Sequence, residues 1–316
     1  MRKTGFLYDE RYLLHRTGVN HVEIPERLEA IYKGIKDAGL LPMLTVIPAS
    51  RADRKWVEAV HDKALIDRLD TACCSGYEIF ESDDNQMCGE TFEIALLAVG
   101  GVIDASRMVM EGKLDNVFCA VRPPGHHAER NSAMGFCYFN NVAIAARYLQ
   151  IEWHIKNISI VDFDVHHGNG TQHIFENDPT VFYYSIHEHP SFAYPGTGRE
   201  FEQGKNKGFG FTKNSPVLPG QGDAEYTRLV KRDLFPSFEQ FKPEVILVSS
   251  GFDAHIDDKL ADMCVSTEWF SWMMDNIVRM ADLYAKGKLI SVLEGGYSLE
   301  RLPELAANHV KCLLGI

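Results

Sequence analysis

Five short runs of apolar residues recur along the chain: Val117–Val121, Ile158–Phe163, Val181–Ile186, Val245–Ser249 and Leu289–Leu293. Each is apolar at successive positions, so each must be buried on both faces. A sheet covered by helices on both sides provides that environment. Helix-like stretches at 92–111, 141–150, 223–240 and 267–285 separate the runs. Strands alternating with helices specify an α/β fold with a mostly parallel sheet. The N-terminal part adds Thr4–Tyr8 and Leu44–Ile47 as expected strands, with helices expected over 24–38 and 63–75. No internal repeat, low-complexity tract or Pro/Ser-rich linker divides the chain, so one domain over 1–316 is expected.

Composition narrows the class of partner. The formal net charge is -12 and the sequence pI is near 5.5, which argues against nucleic acid or an anionic membrane. A cationic lysine-rich tail is compatible with it. No apolar run approaches the roughly 20 residues that span a bilayer, and the first residues are too polar for a secretory signal. Seven cysteines without regular spacing read as free thiols in a reducing compartment, and a cytoplasmic location is expected.

In open α/β sheets, ligands bind beyond the carboxyl ends of the strands. Here those ends carry RPPGHH (122–127), DVHHGNG (164–170), HEHPSFAYPGTG (187–198), SGFD (250–253) and EGGY (294–297). Asp164 and His166 sit at D-x-H spacing, which puts both side chains on one side of an extended chain. With Asp253 they make a mixed oxygen and nitrogen set that suits zinc and leaves room for water. Asp164 and Asp253 could each be an ordinary turn or helix cap; together with His166 the ligand reading is preferred. His126 and His127 follow a stiff Pro-Pro-Gly turn. Adjacent imidazoles repel when both are charged, so at least one should be neutral and able to act as a base. Tyr297 follows two glycines that permit close approach, where a phenol could donate to an oxyanion. His15, His21, His61, His154, His173 and His255 have no comparable company and read mostly as structural or surface residues.

Six co-linear strings carry a resemblance: RPPGHHAE (122–129), GFCYFNNVAIAA (135–146), DFDVHHGNGTQ (162–172), YPGTG (194–198), SSGFDAH (249–255) and LEGGY (293–297). Together they resemble the histone deacetylase superfamily, in its class II-like and bacterial deacetylase-like branch. That resemblance implies a single-domain arginase/deacetylase fold with about eight strands. It implies Asp164, His166 and Asp253 as zinc ligands, His127 as general base and acid, His126 as its electrostatic partner, and Tyr297 as oxyanion donor. Asp162 matches the carboxylate behind His126. Asn169 stands behind His127, where class I enzymes carry an aspartate. A neutral partner there leaves the imidazole less basic and readier to accept a proton.

The resemblance also implies a substrate tunnel with Phe136 and Tyr194 as its aromatic walls, and Gly135 and Gly295 as further substrate-binding residues. Asp84 matches an acceptor for the substrate backbone, and Leu260 a gatekeeper position that is Glu in the polyamine-selective enzyme. Arg27 resembles the arginine of an internal acetate channel, and Cys137 fits either that channel or plain packing. Two potassium sites are implied: one at Asp162, Ser185 and the carbonyls of Asp164, His166 and Ile186, and a second at the carbonyls of Phe175, Asp178 and Val181. The chain departs from the family pattern at His21-Val22-Glu23 and at His255, two residues past a proposed ligand, on the rim or mouth of the tunnel. The function expected is zinc-dependent removal of acetyl or short acyl groups from acyl-lysine in proteins or peptides. Rivals are an acetylpolyamine or other small-molecule amidohydrolase, a non-catalytic acyl-lysine binder, and arginase-like hydrolysis, which would need a second metal set the motifs do not supply. Leu260 and the compact Asp84–Arg122 segment disfavour the polyamine reading.

Overall fold

The computed structural model describes residues 2–316. Eight strands form one sheet: β1 (Thr4–Leu7), β2 (Thr45–Ile47), β5 (Asn116–Cys119), β6 (Ile158–Asp162), β7 (Val181–Glu188), β8 (Thr212–Val217), β9 (Val245–Ser250) and β10 (Leu289–Leu293). Their spatial order is β2-β1-β5-β10-β9-β6-β7-β8, and every pairing is parallel rather than mostly so. Two short antiparallel strands, β3 (Ile79–Phe80) and β4 (Ser82–Gln86), form a separate hairpin.

Side-chain alternation shows helices on both faces. On β1 and β5, Thr4 and Asn116 reach the carbonyl of Leu313, and Phe118 packs against His309, so this face meets the C-terminal helix Leu302–Leu314. Leu7, an odd step away from Thr4, lies instead against Gly101 of the helix Thr91–Met110. The period of two sends neighbouring residues to opposite layers. Helix Thr91–Met110 is apolar nearly all round and correspondingly buried.

The central strands form where the apolar runs predict them, with ends shifted by at most two residues. β8 escapes the pattern because its sequence, TKNSPV, carries Lys213 and Pro216. At a sheet edge a proline is tolerated, since its missing N–H can face away from the ladder. The helix expected over 223–240 forms without a break as Asp223–Leu229, a wide π-helical turn over Val230–Leu234, and Phe235–Phe241. The wide turn lies just ahead of Pro236, which cannot donate to the regular ladder. Among the described residues, no helix is long and apolar enough to cross a membrane.

Candidate active site

The parallel sheet gathers the polar strand ends at one edge. β6, β9 and β10 are adjacent, so Asp164, His166, Asp253 and Gly295 converge although they are up to 131 positions apart. His166 Nδ1 lies 3.2 Å from both Asp164 Oδ1 and Asp253 Oδ2. One ligand atom from each residue falls within 4.8 Å of the others, and among the described residues no second such group occurs. Backbone N–H groups aim the carboxylates: Gly295 donates to Asp164 Oδ2 (2.7 Å), and Val165 donates to Asp253 Oδ1 (2.9 Å). A Cβ on Gly295 would collide with the Asp253 carboxylate, so this position requires glycine.

The electrostatics of the trio call for positive charge. Burial and then Asp164 raise Asp253 to about 7. Burial opposes the charged form of His166, yet hydrogen bonds to Asp164 and Asp253 outweigh it and raise the imidazole to about 10. The two buried carboxylates and the His166 imidazole form an O, O, N donor set that fits a divalent cation such as zinc, with His126 Nε2 3.8 Å from Asp164 Oδ1.

His126 and His127 stand beside this trio. His126 Nδ1 donates to Asp162 Oδ2 (3.1 Å), which also accepts from the Tyr183 hydroxyl (3.0 Å). Burial disfavours His126 charging, but Asp162 and Asp164 override it and raise its pKa to about 10. His127 behaves oppositely: burial first, then His126 and His166, push it well below the ordinary value, so it is neutral. Its Nδ1 lies 2.7 Å from Asn169 Oδ1.

Tyr297 is fixed from three directions. Its backbone N–H donates to Asp258 Oδ2 (2.6 Å), its ring lies 4.7 Å from the Arg27 guanidinium carbon, and Phe136 packs edge-on at 6.0 Å. Burial, against the pull of Arg27, holds the phenol protonated as a donor. The Arg27 side chain is fully buried. Its donors reach Gly296 O (2.7 Å), Glu294 O (2.6 Å) and Glu23 Oε1 (2.8 Å). Cys137 packs in the interior, with Sγ 3.2 Å from Gly135 O.

A narrow cavity of about 150 Å³ joins these groups. It is lined by Asp84, Pro124, His126, His127, Gly135, Phe136, His166, Tyr194, Leu260, Gly295 and Tyr297. Tyr194 meets His127 edge-on at 5.1 Å. Gly135 has φ of +57°, and a Cβ there would strike the His127 ring. Phe136 has φ of +67°, an unusual conformation for an aromatic residue. The hairpin holds this turn, with Asp84 Oδ2 accepting from Gly135 N–H (2.9 Å) and Asn85 Oδ1 from Phe136 N–H (2.8 Å). Asp84 therefore reaches the cavity but already holds the wall through one oxygen.

Two of the expected potassium donors, Asp162 and Ser185, stand on neighbouring strands as register partners across β6 and β7. The Ser185 hydroxyl is 2.7 Å from His187 Nδ1. At the second set, the carbonyls of Phe175 and Asp178 accept from Asp178 and Val181 N–H.

Several residues that sequence reasoning left unassigned shape the site. Glu294, raised to about 7 by burial, accepts from Gly125 N–H, His126 N–H and Ser249 Oγ. Glu23 is buried between Arg122 and Arg27. The ring of His21 packs on Phe136 at 4.7 Å, so it belongs to the wall. His255 is buried, with Nε2 3.0 Å from Thr267 Oγ1, and lines neither the cavity nor the rim. Only long-range contacts reveal these roles; the one local signal was that Glu23 and Glu294 stand inside the quoted motifs.

A family described as "Histone deacetylase domain" matches residues 21–313, and the chain belongs to that family. Its relatives include a "Probable deacetylase" of Archaeoglobus fulgidus, 37% identical over 94% of this chain and 82% of that protein. "Histone deacetylase 5" of Arabidopsis thaliana is 37% identical over 99% of this chain and 49% of its own length. The chain thus spans about half the length of the first curated relatives it matches. The solved "HDA15 HD domain" superposes with a TM-score of 0.93 at 37% identity, covering 99% of this chain and 89% of that one.

Proposed function

We propose that this protein is a zinc-dependent deacetylase that removes acetyl or short acyl groups from the ε-amine of acyl-lysine in proteins or peptides. One observation carries the reading. A single narrow cavity joins His166 of the ligand trio, the neutral imidazole of His127, the phenol of Tyr297 and the aromatic walls Phe136 and Tyr194, with Asp164 and Asp253 directly behind His166. The names of the relatives support deacetylation as the reaction.

Asp164 Oδ1, His166 Nδ1 and Asp253 Oδ2 would hold the zinc, which supplies a Lewis acid for the amide carbonyl and lowers the pKa of water. His127, neutral and with Nδ1 engaged by Asn169, presents Nε2 to accept the proton of the attacking water. It later returns that proton to the leaving amine. His126, tied to Asp162, adds positive charge beside it. The Tyr297 hydroxyl donates to the oxygen on which negative charge develops. Phe136 and Tyr194 shield the tetramethylene chain from water. The same proposal includes monovalent potassium at Asp162, Ser185 and the neighbouring carbonyls, supported by the pairing of Asp162 with Ser185 across β6 and β7.

The test is turnover of a fluorogenic acetyl-lysine peptide beside acetylputrescine on zinc-loaded protein, with a hydroxamate control. Peptide turnover blocked by the hydroxamate is expected. Turnover of acetylputrescine alone would overturn the lysine reading, because Leu260 at the cavity mouth offers no charge to a distal ammonium.

A further inference from the structure

We infer that Glu129 is a positioning residue that sets the tautomer of His127 by fixing which way the Asn169 amide faces. The inference rests on His127 being the general base.

A side-chain amide has one end that accepts and one that donates, and only its neighbours decide which end faces which partner. Asn169 lies between the His127 ring and the Glu129 carboxylate. A carboxylate can only accept, so it takes the donor end: Asn169 Nδ2 lies 2.6 Å from Glu129 Oε1. The other Nδ2 hydrogen points towards His127 O (3.4 Å) and Met134 Sδ (3.3 Å). Oδ1 must then face His127 Nδ1, at 2.7 Å, where it can only accept. Nδ1 therefore carries the ring proton, and Nε2 is left bare on the side of the cavity. That is the tautomer a base acting at Nε2 requires. An aspartate behind His127 would impose it directly. An asparagine is symmetric enough to impose either tautomer, so the chain needs a further acceptor behind it.

Glu129 is built to be that acceptor. Its side chain is 17% exposed, and Oε1 also receives His173 Nδ1 at 2.7 Å. Its backbone is clamped on both sides: Glu129 N–H donates to Ser132 O (2.9 Å), and Glu129 O lies 2.8 Å from His61 Nδ1. The Asn140 N–H donates to His61 Nε2 (2.9 Å), so the buried His61 must carry its own proton on Nδ1 and donate to Glu129. His173 serves this carboxylate directly and His61 the backbone that carries it, although both looked like structural or surface residues.

The experiment compares Glu129→Ala and Glu129→Gln with wild type, reading kcat and KM on an acetyl-lysine peptide and the ring ¹⁵N shifts of His127, which distinguish the two neutral tautomers. In Glu129→Ala the amide is free to turn. We expect a tenfold or greater loss of kcat, KM within twofold, unchanged zinc content, and a new Nε2–H population. Glu129→Gln, whose amide can turn either end towards Asn169, is expected to give a mixture of the two tautomers and a kcat between those of Glu129→Ala and wild type. In an Asn169→Ala background, adding Glu129→Ala should change kcat by less than twofold. An Nδ1–H tautomer unchanged in Glu129→Ala, with or without lost activity, overturns the inference. So does Glu129→Gln losing kcat as fully as Glu129→Ala, or a full further loss on top of Asn169→Ala. If wild type turns over no acyl-lysine, the functional reading fails instead, while the tautomer readout still judges the role of Glu129.

Discussion

Two buried charge clusters lie on either side of the turn that carries Tyr297, and they are made oppositely. Asp164, Asp253 and His166 set two carboxylates against one imidazole. Glu23 sets one carboxylate against two guanidiniums, Arg122 at 2.5 Å and Arg27 at 2.8 Å, all with fully buried side chains. In the first cluster burial, and then the neighbouring Asp164, push Asp253 up to about 7. The second is saturated: burial opposes the charged form of Glu23, but Arg122 and Arg27 hold it down at about 2. Arg122 also binds Tyr12 O and His15 O, and Arg27 binds the carbonyls of Glu294 and Gly296. A buried charge cluster short of countercharge is a place for a ligand. One that satisfies itself is scaffold.

The sharpest way to break this contrast is to remove one charged group from each cluster. Asp253→Asn should abolish stoichiometric zinc binding and reduce turnover to background, with the fold intact by circular dichroism. Retained zinc, measured by elemental analysis after dialysis, would remove Asp253 from the ligand set. Arg122→Met should act on stability, because it leaves Glu23 buried with one partner fewer. Breaking such a pair costs about 3–5 kcal/mol, read from denaturant unfolding. A change below about 1 kcal/mol would show that this cluster is not the rigid scaffold described.

Tyr297→Phe probes the turn between the clusters. It removes the hydroxyl and keeps the ring that packs on Arg27, so zinc content and melting temperature should hold while kcat falls roughly 10²- to 10³-fold. The smallest effect is a separation in pH. A raised carboxylate pKa means that protons compete with the cation, so zinc affinity should weaken as pH falls below about 7. Glu23 is depressed from 4.5 to about 2. Its contribution to stability is complete above 4.5 and is lost progressively as pH falls from there through about 2. Near pH 5 the protein should therefore remain folded while binding zinc more weakly than at pH 8. Dialysis and circular dichroism on one sample would check it, and unfolding in step with zinc loss would merge the two clusters into one.

The comparison also shows which parts of the site could be read in one dimension. Asp164 and His166 share a motif, and their spacing alone places them on one side of an extended chain. Leu289–Leu293 forms a strand over the same residues that its apolar run marks. Glu23 gave no such signal, because its partner Arg122 is 99 positions away. Asn85 and His21 were missed for the same reason: each meets the Phe136 turn only after the hairpin and the N-terminal segment have folded over it. The edge strand β8 was missed because a strand at the border of a sheet need not be apolar.

What the sequence determined by itself is the layered parallel architecture, the family, and the residue types gathered at the strand ends. Those follow from local rules: apolar runs must be buried on both faces, and parallel strands present their carboxyl ends together. Tertiary structure alone decided which buried carboxylates are paired and which are left wanting charge. It also decided how the Asn169 amide faces and what holds Tyr297 in place. Those outcomes depend on distances of about 3 Å between residues far apart in the chain, and a linear pattern does not encode such distances.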